Sequence, residues 1–170
     1  MAKKTIRIYN DSVLRRKARP VKQVSGTIQK LVKDMFETMY EEGGIGLAAP
    51  QVGVSRRLFV VDTREMGQKL ALINPRIVTF SKKDREAYKE GCLSVPGIEV
   101  EVLRPRRITV EYTDLDGQPV TLEAEEMLAR VIQHENDHLD GILIVDRAGT
   151  TEECEKLRRE MDQLEAEAHA

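Results

Sequence analysis

The chain has 170 residues, a formal net charge of −2 and hydrophobic side chains at 41% of its positions. That length suits a single catalytic domain, 1–170, and its two cysteines are too few for a disulfide framework. No apolar run approaches the roughly 20 residues that cross a bilayer, the MAKK start lacks the apolar core of a signal peptide, and the near-neutral charge argues against general affinity for nucleic acid, so the expectation is a cytoplasmic protein.

The charge is uneven along the chain. Eight Lys or Arg face Asp11 alone in the first 22 residues, whereas the last 20 are predominantly acidic. Solvated faces are the ordinary reading of such blocks. In chain order, Ile28, Leu31, Val32, Met35 and Met39 recur at helical spacing and predict a helix over 27–42, with Ser25 or Thr27 as N-cap and Gly43-Gly44 as the stop. Residues 44–53, GIGLAAPQVG, are too small to fill a core and read as a loop stiffened by Ala48-Ala49-Pro50. Strands are expected over 56–62, 70–80, 97–105 and 107–114, and a hairpin at 115–118 returns the chain as 119–125. Helices over 126–139 and 151–168 close the sequence. Strands in the middle and helices at the ends predict an α+β fold, a mainly antiparallel sheet around a central helix with flanking N-terminal and C-terminal helices.

The segment IQHENDHLDG, 132–141, holds two of the three histidines. Four residues apart on a helix, His134 and His138 lie one above the other and can converge on one ion, while Glu135 points aside, within reach of a bound water. This is the spacing of helical zinc hydrolases, with the glutamate as general base. The alternative is a solvated helix with two surface histidines. Against it, Met127, Val131, His134 and His138 follow steps of four, three and four, so the pair faces inward, and buried imidazoles need partners. Arg130 adjoins that stripe and is expected to snorkel outward, or else to rim a pocket mouth. A catalytic site takes a third protein ligand and keeps one position open. Cys92, in KEGCLSVPG with glycines on either side of an extended CLSV, is the best candidate, although a lone cysteine is more often a small buried hydrophobe. Cys154 sits among charges on the final helix and reads as structural or exposed.

Three motifs in order, GIGLAAPQVG, EGCLSVP and QHENDHLDG, together with VLRRKARPV near the start, resemble bacterial peptide deformylase over nearly the whole chain up to about residue 147. The resemblance implies a metallohydrolase that removes the formyl group from the N-terminal formylmethionine of nascent polypeptides and releases formate. It implies Cys92, His134 and His138 as ligands of one ion per chain, which is Fe(II) in the cell and replaceable by Zn(II) or Ni(II). Glu135 would move the proton of the attacking water, and Gln51 and the backbone N–H of Leu93 would stabilise the oxyanion. The peptide would pair with Ile45 and Gly46, passing Gly91, where glycines leave room for another backbone. Ile45, Met127, Val131 and His134 would wall the methionine pocket, with Tyr88 and Glu90 near its rim. Two departures stand out: Gly43-Gly44 replaces a glutamate found in some members, and the acidic C-terminal helix weakens any transferred contact with the ribosome. The Cys154, Leu157, Met161 and Leu164 stripe of that helix is expected to pack on the domain or on a second subunit. The competing readings are a small HExxH metallopeptidase and a non-catalytic metal or formyl-peptide binder.

Overall fold

A computed structural model describes residues 3–65, 67 and 69–169. Helix α1 spans Gly26–Glu41, and the Ser25 hydroxyl accepts the N–H of Ile28 at 3.4 Å, which settles the N-cap. The strands are β1 (Gly46–Ala48), β2 (Leu58–Val61), β3 (Leu70–Phe80), β4 (Arg85–Glu90), β5 (Val100–Pro105), β6 (Arg107–Thr113) and β7 (Pro119–Glu125). Helices α2 (Glu126–Leu139) and α3 (Thr151–Ala168) follow. Among the described residues no helix is long and apolar enough to cross a membrane.

Five strands form one sheet in the order β1-β2-β3-β6-β7, and β4 and β5 form a separate ribbon. Every ladder is antiparallel. The layering follows from β2, whose four residues are all buried. Side chains alternate across a strand, so Phe59 and Val61 enter the cluster with Ala129, Ile132 and Leu139 of α2. Leu58 and Val60 enter the opposite cluster with Val32, Met35 and Met39 of α1. Each such side chain contributes about 1.5–3 kcal/mol when fully buried, and the sheet is held between the two helices. A third cluster joins Val100 and Val102 of β5 to Leu143, Ile144 and Met161. Met161 is buried and Leu157 and Leu164 are partly so, which packs the α3 stripe on this same chain. Cys154 is buried as well, its thiol 3.6 Å from the carbonyl of Ala148.

Three expectations need correction. Residues 44–53 are not a loop of side chains too small for a core: they form edge strand β1 and a 3-10 helix, Ala49–Val52, with Leu47, Ala48 and Ala49 wholly buried. Leu47 supplies the bulk, and the small residues let the strand lie close to α2. Strand β4 is not among the expected strands, because five of its six residues face solvent and show no apolar alternation. The CLSV segment is a turn rather than extended, closed by the Val95 N–H donating to the Cys92 carbonyl at 3.0 Å.

Candidate active site

Helix α2 is buried on nearly every side between the sheet and the ribbon, as a central helix must be. Its start carries no side-chain cap. Its end is fixed by Gly141, with φ at +74° and a Cβ position only 2.6 Å from the Arg15 carbonyl, so a side chain there is doubly disfavoured. One turn of this helix presents His134, Glu135 and His138.

The turn after β4 brings Cys92 to that face. One donor atom from each of Cys92, His134 and His138 lies within 4.8 Å of the others, and the sulfur stands 3.4 Å from Nε2 of His138. Nδ1 of His134 is 2.9 Å from Oε1 of Glu90, which leaves Nε2 for the site interior. This arrangement, an outer carboxylate orienting the imidazole, is what a ligating histidine requires. A thiolate and two imidazoles with room for a fourth group form a suitable donor set for a divalent transition ion. Burial of these atoms against one another is favourable when a shared cation neutralises the sulfur. The residues present fit the metal that the sequence implied.

Glu135 is 4% exposed; its Oε2 is 3.9 Å from Nε2 of His134, and its Oε1 is buried without a hydrogen-bond partner among the described residues. Burial, opposed by the charge of His134 and assisted by that of Glu90, pushes its carboxyl up to about 7. His134 is raised too, for a different reason: burial disfavours its charged form, but Cys92 and Glu90 facing the ring hold its pKa well above the usual value. His138, buried beside charged His134 and Arg104, is pushed well below.

Gly46 explains how the acid fits. A Cβ there would lie 2.6 Å from Oε2 of Glu135 and 2.8 Å from a methyl of Val131. The space expected for a peptide backbone is therefore taken, on that side, by α2. Gln51 is 2% exposed and its amide is oriented unambiguously: Oε1 accepts the Ala48 N–H at 2.9 Å, so Nε2 faces Ser94 Oγ at 3.1 Å and Cys92 Sγ at 3.7 Å. Ile45, Gly46, Gln51, Tyr88, Glu90, Gly91, Cys92, Leu93, Met127, Val131, His134 and Glu135 all border one cavity of about 510 Å³. His138 lies behind them at the sulfur.

Two placements differ from expectation. Glu90 is not at the rim but 5% exposed, clasped by Arg104, whose Nε and Nη2 donate to its two oxygens at 2.7 and 3.1 Å. Burial raises its pKa, yet the hydrogen bonds from His134 and Arg104 override this and hold it at about 2. Arg104 continues to Asp137 at 3.0 Å, and Asp137 takes a further pair of bonds from Arg147. Arg130 does not snorkel: it is 7% exposed and also bonds Glu90. Sequence reasoning does not find Arg104, Ser94 or Asp137. For Arg104 a signal existed, since Val100, Val102 and Arg104 alternate on the inward face of β5.

With this geometry in place, the likeness to known proteins is decisive. The sequence model of the polypeptide deformylase family matches residues 3–154. The chain belongs to the polypeptide deformylase family. Peptide deformylase of Chlorobaculum parvum is 50% identical over 147 residues, covering 84% of this chain and 78% of that one. The crystal structure of the Thermus thermophilus peptide deformylase superposes with a TM-score of 0.88 at 46% identity, over 97% of this chain and 99% of that one. A Synechococcus elongatus peptide deformylase in complex with actinonin gives 0.84 at 41% identity, over 92% and 87%. The family member described here is thus a hydrolase of protein biosynthesis that removes the N-formyl group from nascent peptides, and it is metal-dependent.

Proposed function

We propose that residues 1–170 act as one catalytic domain in which Cys92, His134 and His138 hold a single ion and Glu135, Gln51 and Leu93 act on the formyl group of an N-formylmethionyl peptide. The observation that carries this reading is the convergence of sulfur and two imidazoles beside a buried carboxylate, one oxygen of which has no hydrogen-bond partner among the described residues. When bound, the ion supplies Lewis acidity, which brings the pKa of water from about 15.7 to near 7. Fe(II) in the cell, with Zn(II) or Ni(II) as replacements, is compatible with a mixed sulfur and nitrogen donor set.

Glu135 takes the proton of the attacking water at its free carboxylate and gives it to the departing amine. A carboxyl raised by burial suits this exchange near neutral pH, and a cation beside it moderates the rise. Gln51 Nε2 and the Leu93 N–H donate to the oxygen on which negative charge develops. Such donors are effective because they are fixed beforehand, and the Ala48 bond fixes Gln51. The peptide lies along the outer edge of β1, which pairs only with β2 among the described strands. It adds a strand there beside Ile45 and Gly46, with Gly91 across the cleft. Its methionine side chain enters between Ile45, Met127, Val131 and Tyr88. Glu90 orients His134 rather than touching substrate.

The enzyme works in the bacterial cytoplasm on nascent chains. The exposed face of α3 carries Glu152, Glu153, Glu155 and Glu160, the wrong sign for RNA, so a ribosome contact would use another surface. Incubation of the iron-loaded protein with formyl-Met-Ala and with Met-Ala tests the reading. Formate from the first substrate alone is expected. Free amino acids from the second would point to a peptidase, and silence on both to a binding protein.

A further inference from the structure

One wall of the cavity is made by a residue of an unexpected class. Arg130 borders it together with Met127, Val131 and Tyr88, yet its side chain is 9% exposed. Its Nη1 donates to Oε2 of Glu90 and, at 3.1 Å, to the Val102 carbonyl, while Nη2 donates to the Glu86 carbonyl at 2.6 Å. Its Cζ stands 5.3 Å from the centroid of the Tyr88 ring. The head is therefore fixed on β4 and β5 while the backbone belongs to α2, and the aliphatic stem has to cross the space between helix and ribbon.

We propose that Arg130 determines side-chain specificity, as a strap that sets the width of the methionine pocket between α2 and β4; this deepens the deformylase reading and rests on it. Two residues of α2 are tied to β4 by side-chain hydrogen bonds among the described residues, His134 to Glu90 and Arg130 to both Glu90 and Glu86. The His134–Glu90 contact lies at the metal end, whereas Arg130 reaches Glu86, two residues beyond Tyr88 along the strand. A guanidinium fork satisfies three acceptors in one plane, which an ammonium or an apolar side chain cannot do. The strap thus holds Tyr88 at a fixed distance from α2, and its unbranched stem lines a slot. Unbranched substrate side chains fit such a slot, whereas β-branched or aromatic ones are too wide.

The test compares kcat/KM for formyl-Met-Ala and formyl-Phe-Ala in the metal-loaded enzyme and in R130M. The ratio should fall about tenfold, the scale at which a hydrophobic pocket discriminates. The change should lie mainly in KM for the methionyl substrate, because Arg130 touches no reacting atom. R130K, which keeps stem and charge without the fork, should fall between the two. A ratio within about twofold of wild type in folded R130M, or in R130K should R130M fail to fold, overturns the proposal. No formate from any formyl peptide would sink the deformylase reading, whereas formate with flat selectivity would sink the strap alone.

Discussion

Helix α2 and the β4–β5 ribbon divide the work of the site in different ways. The helix displays His134, Glu135 and His138 within little more than one turn, and helical geometry puts the two imidazoles on one face with the carboxylate beside them. The ribbon contributes Glu90 and Arg104, fourteen residues apart in the chain and both about 5% exposed at the side chain. These two side chains hold the helix's groups in place, Glu90 at His134 and Arg104 at Asp137. The difference teaches that the reacting atoms can sit on local structure, while the charges that orient them come from a tertiary contact.

Breaking the helix side should have the largest effect. Glu135→Ala is expected to lower turnover by up to about 10⁴-fold, the upper range for a lost acid-base group, with metal content by atomic absorption unchanged. Retained turnover would remove Glu135 from its assigned role. Breaking the ribbon side should act through the ligand instead. Glu90→Gln is expected to weaken metal affinity about 10- to 100-fold, as removal of an outer-shell partner does, measured by competition with a chelator; unaltered affinity would show that Glu90 does not support His134. The smallest effect sharpens the comparison by pH. The carboxyl of Glu90, normally near 4.5, is held at about 2 in the folded chain. Its stabilising contribution is complete above pH 4.5 and is lost as pH falls towards 2. Urea midpoints should decline across that window in wild type and less steeply in E90Q; parallel slopes would remove Glu90 as a source of acid sensitivity.

The same division explains what was legible in the sequence. Strands β3 and β7 and helices α2 and α3 run over the expected residues, because each carries its own period or is bounded by a turn or cap. Cys92, His134 and His138 can be grouped from their types and from a family resemblance, and the fold brings them together. Strand β4 leaves no apolar alternation because it is a thin ribbon wetted on most of its length. The resemblance puts Glu90 at the rim, where a glutamate is normally found. Its burial depends on Arg104, and nothing in the local sequence of either residue announces the other. Arg130 is misread for the same reason, since its acceptors lie 28 to 44 residues away.

The missing side chain at Gly46 has a consequence for how an incoming polypeptide is measured. The edge strand rests directly on the Glu135 carboxylate and on Val131, so on the proposed reading the track for the guest chain lies directly against the proton carrier. A guest that slips by a single residue advances about 3.3 Å and turns its side chains to the opposite face, which withdraws its amide from the acid and its anchor from the slot. On that reading the closeness of backbone to helix would work as a ruler counted from the first residue, confining cleavage to the extreme end of a chain full of chemically similar bonds.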